Sequence, residues 1–128
     1  MSEKFTVEII SPDRLILKTD ASEITIPSYE GEMGILKDHI PLITFLRPGL
    51  IKILNGSEKR LFVEEGTVEF ANNNLLILTS TARELTNSNK GSFSTLLQDS
   101  TKKINDENLT DKEKYLLSYK IETLKEIN

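Results

Sequence analysis

The sequence predicts an α+β protein, in which an N-terminal antiparallel β-sandwich or flattened barrel is followed by a C-terminal α-helical hairpin. Apolar and polar residues alternate with a period of two in the first part of the chain, a pattern typical of half-buried strands. The last proline is Pro48 and the last glycine is Gly91, so residues 92–128 contain neither. The apolar period changes there to that of a helix. We therefore expect two domains, a sandwich over residues 1–88 and a hairpin over residues 89–128.

Short turns separate the predicted strands. In the first strand, Phe5, Val7 and Ile9 alternate with polar residues. Asn55-Gly56 lies between two apolar runs and predicts a β-hairpin, because both residue types tolerate a positive φ. Asn72-Asn73-Asn74 indicates a turn further along in the same way. Strands divided by turns every ~8–12 residues are typical of a sandwich or barrel.

Two amphipathic helices are predicted in the C-terminal part. The first has apolar residues on one side, namely Phe93, Leu96, Leu97 and Ile104. The polar segment 105–108 interrupts it, and Thr110 three residues before Glu113 predicts a capping box that opens the second helix. The apolar side of the second helix consists of Leu116, Leu117, Ile121, Leu124 and Ile127. Helices of this length are marginal alone, so we expect both to pack on another surface.

Charge and composition exclude several classes of function. The formal net charge is −4, so we expect no nucleic-acid binding, because that partner favours a basic face. The chain has no cysteine, which removes disulfides, thiolate nucleophiles and cysteine-based metal sites. No signal peptide is recognisable, and no apolar stretch approaches the ~18 residues of a membrane span. We expect a soluble chain without direct membrane insertion.

Candidate catalytic chemistry depends on His39, the single histidine. No spacing around it selects a nucleophile, so we assign no catalytic residue and expect a structural or interface histidine. One histidine and no cysteine leave carboxylates as metal ligands, in no calcium-loop pattern, so no metal site is expected. The segment with Gly31 and Gly34 lacks the Lys and Ser/Thr of a phosphate-binding loop, and we expect no cofactor.

The same glycines flank an unusual group of side chains. Tyr29, Glu30, Glu32 and Met33 crowd the segment that Gly31 and Gly34 mark as a turn. A charged and apolar loop held by glycines is one way in which a scaffold presents a docking surface. We therefore predict a partner-binding loop over residues 30–34.

Three motifs resemble the epsilon subunit of bacterial rotary ATP synthases, called delta in mitochondria. They are Gly31-Glu32-Met33-Gly34, His39-Ile40-Pro41-Leu42 and Pro48-Gly49, in the order and spacing of that family. The stretches 5–12 and 62–70 are also similar to it, as is the order of a sandwich and a helical hairpin. The resemblance covers the whole chain.

The resemblance implies a non-catalytic central-stalk subunit that couples c-ring rotation to ATP synthesis through the gamma subunit of a proton-translocating synthase. One face of the sandwich would pack on gamma, the loop over residues 30–34 would meet the c-ring, and the hairpin would reach the catalytic beta subunits. The implied partner-binding residues are Tyr29, Glu30, Gly31, Glu32, Met33, Gly34, His39, Ile40, Pro41 and Leu42. The isolated subunit is expected to be a monomer, and in the cell a peripheral protein on the cytoplasmic face of the bacterial inner membrane.

The hairpin departs from relatives that bind ATP. The family's Leu-Asp-x-x-Arg-Ala type motif corresponds to Leu85–Lys90, which lacks both the Asp and the Arg, so ATP binding is not implied. The regulatory residues of the hairpin would be Leu116, Leu117, Ile121 and Leu124. The second helix has four lysines and four acids, so we expect only weak inhibition of ATP hydrolysis, since exposed ion pairs are weak and screened by salt.

Two alternatives remain open, a free β-sandwich adaptor and a small hydrolase that uses His39. Cell fractionation separates them from a stalk subunit, which would co-purify with membranes in a complex that contains gamma.

Overall fold

A computed structural model describes residues 3–86 and 89–127. The chain divides into two compact units, and the boundary along the chain lies between Glu84 and Leu85. The first unit is built of strands and the second of helices. The predicted boundary at residue 88 lies outside the described residues, and it stays a prediction.

Residues 3–86 form ten strands. In chain order they are β1 (Phe5–Ile10), β2 (Leu15–Ala21), β3 (Glu23–Ser28), β4 (Gly31–Leu36), β5 (Leu42–Leu46), β6 (Gly49–Asn55), β7 (Ser57–Val63), β8 (Gly66–Ala71), β9 (Asn74–Leu78) and β10 (Arg83–Glu84).

The ten strands belong to one hydrogen-bonded sheet. Neighbouring strands follow the order β10-β7-β6-β3-β5-β8-β9-β1-β2, and β4 pairs with β3 outside this path. Strand β2 also contacts β6, so the sheet curls back on itself. The predicted fold class is confirmed as a curled sheet followed by two helices. The β1–β9 ladder is parallel, which the sequence pattern did not reveal because side chains alternate in parallel and antiparallel strands alike.

The alternation of β1 places its apolar side chains in the core. Phe5, Val7 and Ile9 are at most 3% exposed, and burial of side chains of this size stabilises a fold by roughly 1.5–3 kcal/mol each. The ring of Phe5 meets that of Phe70 edge to face, with centroids 5.6 Å apart. The strand predicted from these residues is confirmed over Phe5–Ile10.

Both predicted hairpin turns are present, but Asn74 of the second belongs to strand β9. Gly56, between β6 and β7, has a φ of 78°, whereas Asn55 is not among the residues with positive φ. Between β8 and β9, Asn72 and Asn73 have φ values of 52° and 59°. Two consecutive positive φ values are what a type I′ hairpin turn requires, and Asn is one of the few residues that adopt them readily.

Strand β3 joins the two halves of the sheet. Its ladder with β6 runs from Glu23 to Thr25, and Ser28 pairs with Leu46 of β5. Between them stands Pro27, which has no N–H to continue the ladder with β6. The carbonyl of Pro27 instead accepts the N–H of Arg47 at 3.0 Å.

Gly49 allows the close packing around Pro27. A Cβ at Gly49 would overlap the Pro27 ring. The glycine of the Pro48-Gly49 motif therefore has a packing role. We name this region, Pro27, Ser28, Leu46 and Gly49, the β3 junction.

The helical unit consists of α1 (Lys90–Lys103) and α2 (Asp111–Ile127), which contact each other. Phe93 and Ser100 are buried in α1, and Ile104 lies at its C-cap rather than inside it. In α2, Leu117 and Leu124 are buried, whereas the other members of its apolar side are half-buried. In the described part of the chain, neither helix is both long and apolar enough to span a membrane.

The predicted capping box opens α2. The hydroxyl of Thr110 accepts the N–H of Glu113 at 3.1 Å, and a carboxylate oxygen of Glu113 accepts the N–H of Thr110 at 3.2 Å. These two bonds satisfy donors that would otherwise lack an intrahelical partner.

Gly66 should not tolerate even a methyl group. It has a φ of 156°, and a Cβ there would lie 2.7 Å from the carbonyl oxygen of Leu78. Gly66→Ala should therefore lower the free energy of unfolding by about 1–3 kcal/mol, as overpacking usually does. Gly91→Ala is the matched control, since nothing lies within 4 Å of a Cβ there. Equal melting temperatures of the two variants in calorimetry would contradict the packing at Gly66.

The capping box should make the helicity of the chain depend on pH. The hydrogen bond from the Thr110 N–H, followed by that with the Thr110 hydroxyl, lowers the pKa of Glu113 below its ordinary value. A lowered pKa in the folded state means that the stabilisation is present above the unfolded pKa and is lost as pH falls through the folded pKa.

We expect helical circular dichroism to decrease as pH falls below about 4, near and below the ordinary pKa of Glu. Glu113→Gln keeps an acceptor for the Thr110 N–H but cannot ionise, so its decrease should be smaller. An identical decrease in both proteins would exclude Glu113 as a source of the pH dependence.

Candidate partner-binding surfaces

The β3–β4 hairpin ends in a tip anchored at its base. Tyr29 and Glu30 connect Ser28 to Gly31, which are register partners, and Gly31 has a φ of 123°. The buried Ser28 hydroxyl donates to the carbonyl of Gly31 at 2.6 Å. The N–H of Tyr29 donates to the carbonyl of Phe45 at 3.1 Å. We name residues 29–32 the hairpin tip.

The prediction of a loop over residues 30–34 is wrong beyond the turn. Strand β4 begins at Gly31, and residues 32–34 pair with β3. Glu32 points outward, whereas Met33 packs against the core. Gly34 is not among the glycines with positive φ, so the turn interpretation holds for Gly31 and fails for Gly34. The alternation of exposed Glu32, half-buried Met33 and buried Ile35 is the strand pattern that the two glycines obscured.

The other predicted partner-binding residues lie at the far end of β4. His39, Ile40 and Pro41 are in the connection between β4 and β5, and Leu42 is the first residue of β5. A six-residue strand rising ~3.3 Å per residue separates its two ends by about 16 Å. The ten predicted residues therefore form two groups with Met33 and Gly34 between them. One group is the hairpin tip, and the other is the segment 37–41, which we name the His39 loop, together with Leu42 directly after it.

The contacts of the His39 imidazole are those of a structural residue rather than of a catalytic one. Its Nδ1–H donates to the carbonyl of Ile40 at 2.7 Å, and its ring meets Phe70 edge to face with centroids 5.9 Å apart. Across residues 3–86 and 89–127, no carboxylate or hydroxyl bonds to the imidazole. A general base needs such a nucleophile within hydrogen-bond reach, so the geometry offers the hydrolase alternative no support. The described residues also contain no group of three potential metal ligands.

An exposed apolar surface lies on the outer side of the sheet, and the sequence analysis missed it. Ile43 and Phe45 of β5 are 75% and 58% exposed. Register partners carry the surface from Phe45 through Thr67 to Leu78, and from Leu78 through Ile10 to Leu15. Leu78 and Leu15 are 46% and 53% exposed. We name Ile43, Phe45, Leu78 and Leu15 the outer apolar face.

Two shallow depressions extend this face. One, of about 470 Å³, is lined by Ile10, Pro12 and Leu78 among others. The second, of about 360 Å³, is lined by Pro41, Ile43, Glu69 and Phe70 among others and reaches the His39 loop. Contiguous exposed apolar surface is typical of a protein–protein interface. The sequence feature that could have indicated this surface is the run Leu42-Ile43-Thr44-Phe45-Leu46. It has apolar residues at both the even and the odd positions, so apolar side chains fall on both faces of the strand.

The predicted regulatory residues of α2 lie on its apolar side. Leu117 and Leu124 are buried, and Leu116 and Ile121 are half-buried. On another side of the helix, Tyr115 is exposed and meets Tyr119 edge to face, with centroids 4.9 Å apart.

Residues 4–85 match the sequence profile of the family described as ATP synthase, Delta/Epsilon chain, beta-sandwich domain. The chain therefore belongs to the ATP synthase delta/epsilon chain family, and the family predicted from the three motifs is confirmed. An ATP synthase epsilon chain from Pelagibacter ubique (strain HTCC1062) is 46% identical over 130 residues, covering 100% of both chains. One from Dichelobacter nodosus is 39% identical over 64% of this chain and 59% of its own length.

Solved structures share the fold. A chain of the Euglena gracilis mitochondrial ATP synthase superposes with a TM-score of 0.73 at 21% identity, covering 95% of this chain and 78% of that chain. A chain from the central stalk and c-ring structure of the Tetrahymena thermophila mitochondrial ATP synthase gives a TM-score of 0.63 at 18% identity, covering 98% and 96%. At these identities the likeness concerns the fold.

Proposed function

We propose that this chain is a non-catalytic epsilon subunit in the central stalk of a proton-translocating rotary ATP synthase. It couples rotation of the c-ring to ATP synthesis through the gamma subunit and works as a peripheral protein on the cytoplasmic face of the bacterial inner membrane. The observation that carries the proposal is the 46% identity to an ATP synthase epsilon chain along the full length of both chains.

The outer apolar face is the surface that we assign to gamma. A face with Ile43 at 75% and Phe45 at 58% exposure loses unfavourable contact with water when a partner covers it. Ile40, which is 73% exposed, extends this surface into the His39 loop. A hydrogen-bonded sheet beneath the contact resists bending, which suits a subunit that transmits torque.

The hairpin tip is the surface that we assign to the c-ring. Glu30 and Glu32 are exposed, and within the described residues neither takes part in an ion pair. Carboxylates at an anchored tip can pair with basic groups of a ring and set the register of the contact. The tip and the outer apolar face thus give the subunit two surfaces for two partners.

The helical hairpin is the element that we assign to regulation. Its acidic and basic residues balance in α2, so long-range attraction to the catalytic beta subunits is weak. We therefore expect the hairpin to inhibit ATP hydrolysis only weakly and the subunit to bind no ATP.

Purification of the tagged full-length chain from its own cells tests the proposed function. Recovery with membranes, together with gamma and the c-ring, is expected. Recovery of the chain from the soluble fraction without gamma would favour the free adaptor.

Glu32→Lys should impair coupling without unfolding the subunit. An exposed carboxylate contributes at most about 0–1 kcal/mol to folding, so the melting temperature should stay within a few degrees. Proton-driven ATP synthesis by reconstituted complexes should decrease, because the charge at the ring contact is reversed. Glu107→Lys, a charge reversal at another exposed carboxylate, in the helical unit, is the control. Full ATP synthesis with Glu32→Lys would remove the hairpin tip from the ring contact.

Phe45→Ser should weaken attachment to gamma. Loss of a large aromatic side chain from an interface typically costs enough to weaken binding about tenfold or more, and this is measured by titrating the variant against a complex that lacks this subunit. Leu36→Ser is the matched control, because Leu36 is 57% exposed but lies on β4, outside the outer apolar face. Equal affinities of the two variants would place the gamma contact elsewhere.

A further inference from the structure

Two turns from different parts of the sheet are joined by a reciprocal pair of hydrogen bonds. The N–H of Asp38 donates to Oδ1 of Asn73 at 2.7 Å, and Nδ2 of Asn73 donates to Oδ1 of Asp38 at 3.0 Å. Asp38 is in the His39 loop, and Asn73 is in the β8–β9 turn. Both residues have positive φ, 66° and 59°, a conformation that only Gly, Asn and Asp adopt readily.

Asn73 is a fixed anchor for this pair. Its carbonyl accepts the N–H of Thr6 of β1 at 3.0 Å, and the type I′ turn that holds it connects two paired strands. The side chain of Asn73 therefore projects from a rigid part of the sheet.

The His39 loop has few other attachments. The backbone N–H of His39 donates to the carbonyl of Leu36 at 3.2 Å, and the His39 imidazole donates to the carbonyl of Ile40. Both bonds therefore stay within the loop and the adjoining end of β4. Within the described residues, the hydrogen bonds from the loop to a distant strand or turn are the two with Asn73. The ring of His39 also makes an edge contact with Phe70.

The loop presents the side chains that the proposed interface needs. Ile40 is 73% exposed, and Pro41 lines the depression beside Ile43 and Phe70. Exposed apolar side chains have no packing of their own to fix their direction, so the backbone of the loop must fix it.

We propose that Asn73 is a positioning residue: through its paired hydrogen bonds with Asp38, it holds the His39 loop in the conformation that binds the gamma subunit. The proposal rests on the proposed function and adds a residue and a pairing to the gamma-binding surface.

Exchanging the two side chains between positions 38 and 73 distinguishes the effect of the hydrogen-bonded pair from the effect of either residue alone. Asn73→Asp keeps the acceptor for the Asp38 N–H but replaces the amide donor with a carboxylate that faces the carboxylate of Asp38. The double variant with Asp38→Asn restores one donor and one acceptor in reversed order, and both residue types still tolerate the positive φ. Asn72→Asp places the same charge in the same turn, at a residue that also has positive φ.

The single histidine of the chain reports the loop conformation directly. In the full-length chain the proton NMR signals of the His39 imidazole should carry the ring-current effect of Phe70, and no second histidine of the chain overlaps them. Asn73→Asp should move these signals towards the positions of a solvated histidine and weaken binding to a gamma-containing complex that lacks this subunit by about tenfold. The double variant should restore both readouts, with affinity within about twofold of the original because the two sites act as one pair. Asn72→Asp should leave both unchanged, and all variants should be folded by calorimetry.

Three outcomes would overturn the inference. His39 signals that do not move in Asn73→Asp would show that the pair does not hold the loop, and unchanged affinity would show that the loop conformation does not serve gamma. Weakened binding that the double variant fails to restore would trace the effect to Asn73 alone and not to the pair. Failure of the original chain to bind the complex would instead overturn the proposed function, while the NMR comparison would still decide whether the pair holds the loop.

Discussion

The close approach of Pro27 and Gly49 at the β3 junction is the constraint on which the remaining sheet depends. Pro27 ends the ladder with β6 because it has no N–H, and Ser28 opens the pairing with β5. A side chain at position 49 would push these strands apart. Ser28 of this junction also anchors the hairpin tip through its hydroxyl, which donates to the carbonyl of Gly31, and the adjacent Tyr29 donates its N–H to the carbonyl of Phe45. The change of pairing partner in β3 and the anchoring of the hairpin tip therefore occur at neighbouring residues.

The pleat then gives the sheet two different faces. Side chains alternate along each strand, so Leu46 enters the core while Phe45 stays 58% exposed. Apolar residues at both the even and the odd positions of β5 create two apolar faces. The inner one stabilises the fold, and the outer one is available for a partner. This separation explains why a change on the outer face should affect binding more than folding. A partner that binds the outer apolar face would rest on hydrogen-bonded strands, which resist bending.

Polar pairs hold the segments that the apolar core does not reach. The Thr110–Glu113 capping box satisfies the first donors of α2, and the Asp38–Asn73 pair connects two turns that are 35 residues apart. Each pair gives a defined conformation to an exposed segment at little cost in buried polar surface. The capping box was predictable because its partners are three residues apart on one helix. The Asp38–Asn73 pair was not, because no local spacing relates residues that the β5–β8 and β8–β9 pairings bring together.

Local chemistry in the sequence determined the strands of period two, the turns at Gly56 and Asn72-Asn73, the two helices, the capping box and, through three motifs, the family. It placed His39 outside any catalytic constellation, because a single histidine with no spaced partner has little chemistry to support. Tertiary structure decided the parallel β1–β9 ladder, the assignment of residues 32–34 to a strand, the division of the predicted site into two groups, and the outer apolar face. These features depend on which strands pair and on which side of the sheet each residue falls. Side-chain alternation alone leaves both undetermined, since it is the same for either direction of pairing and for either face.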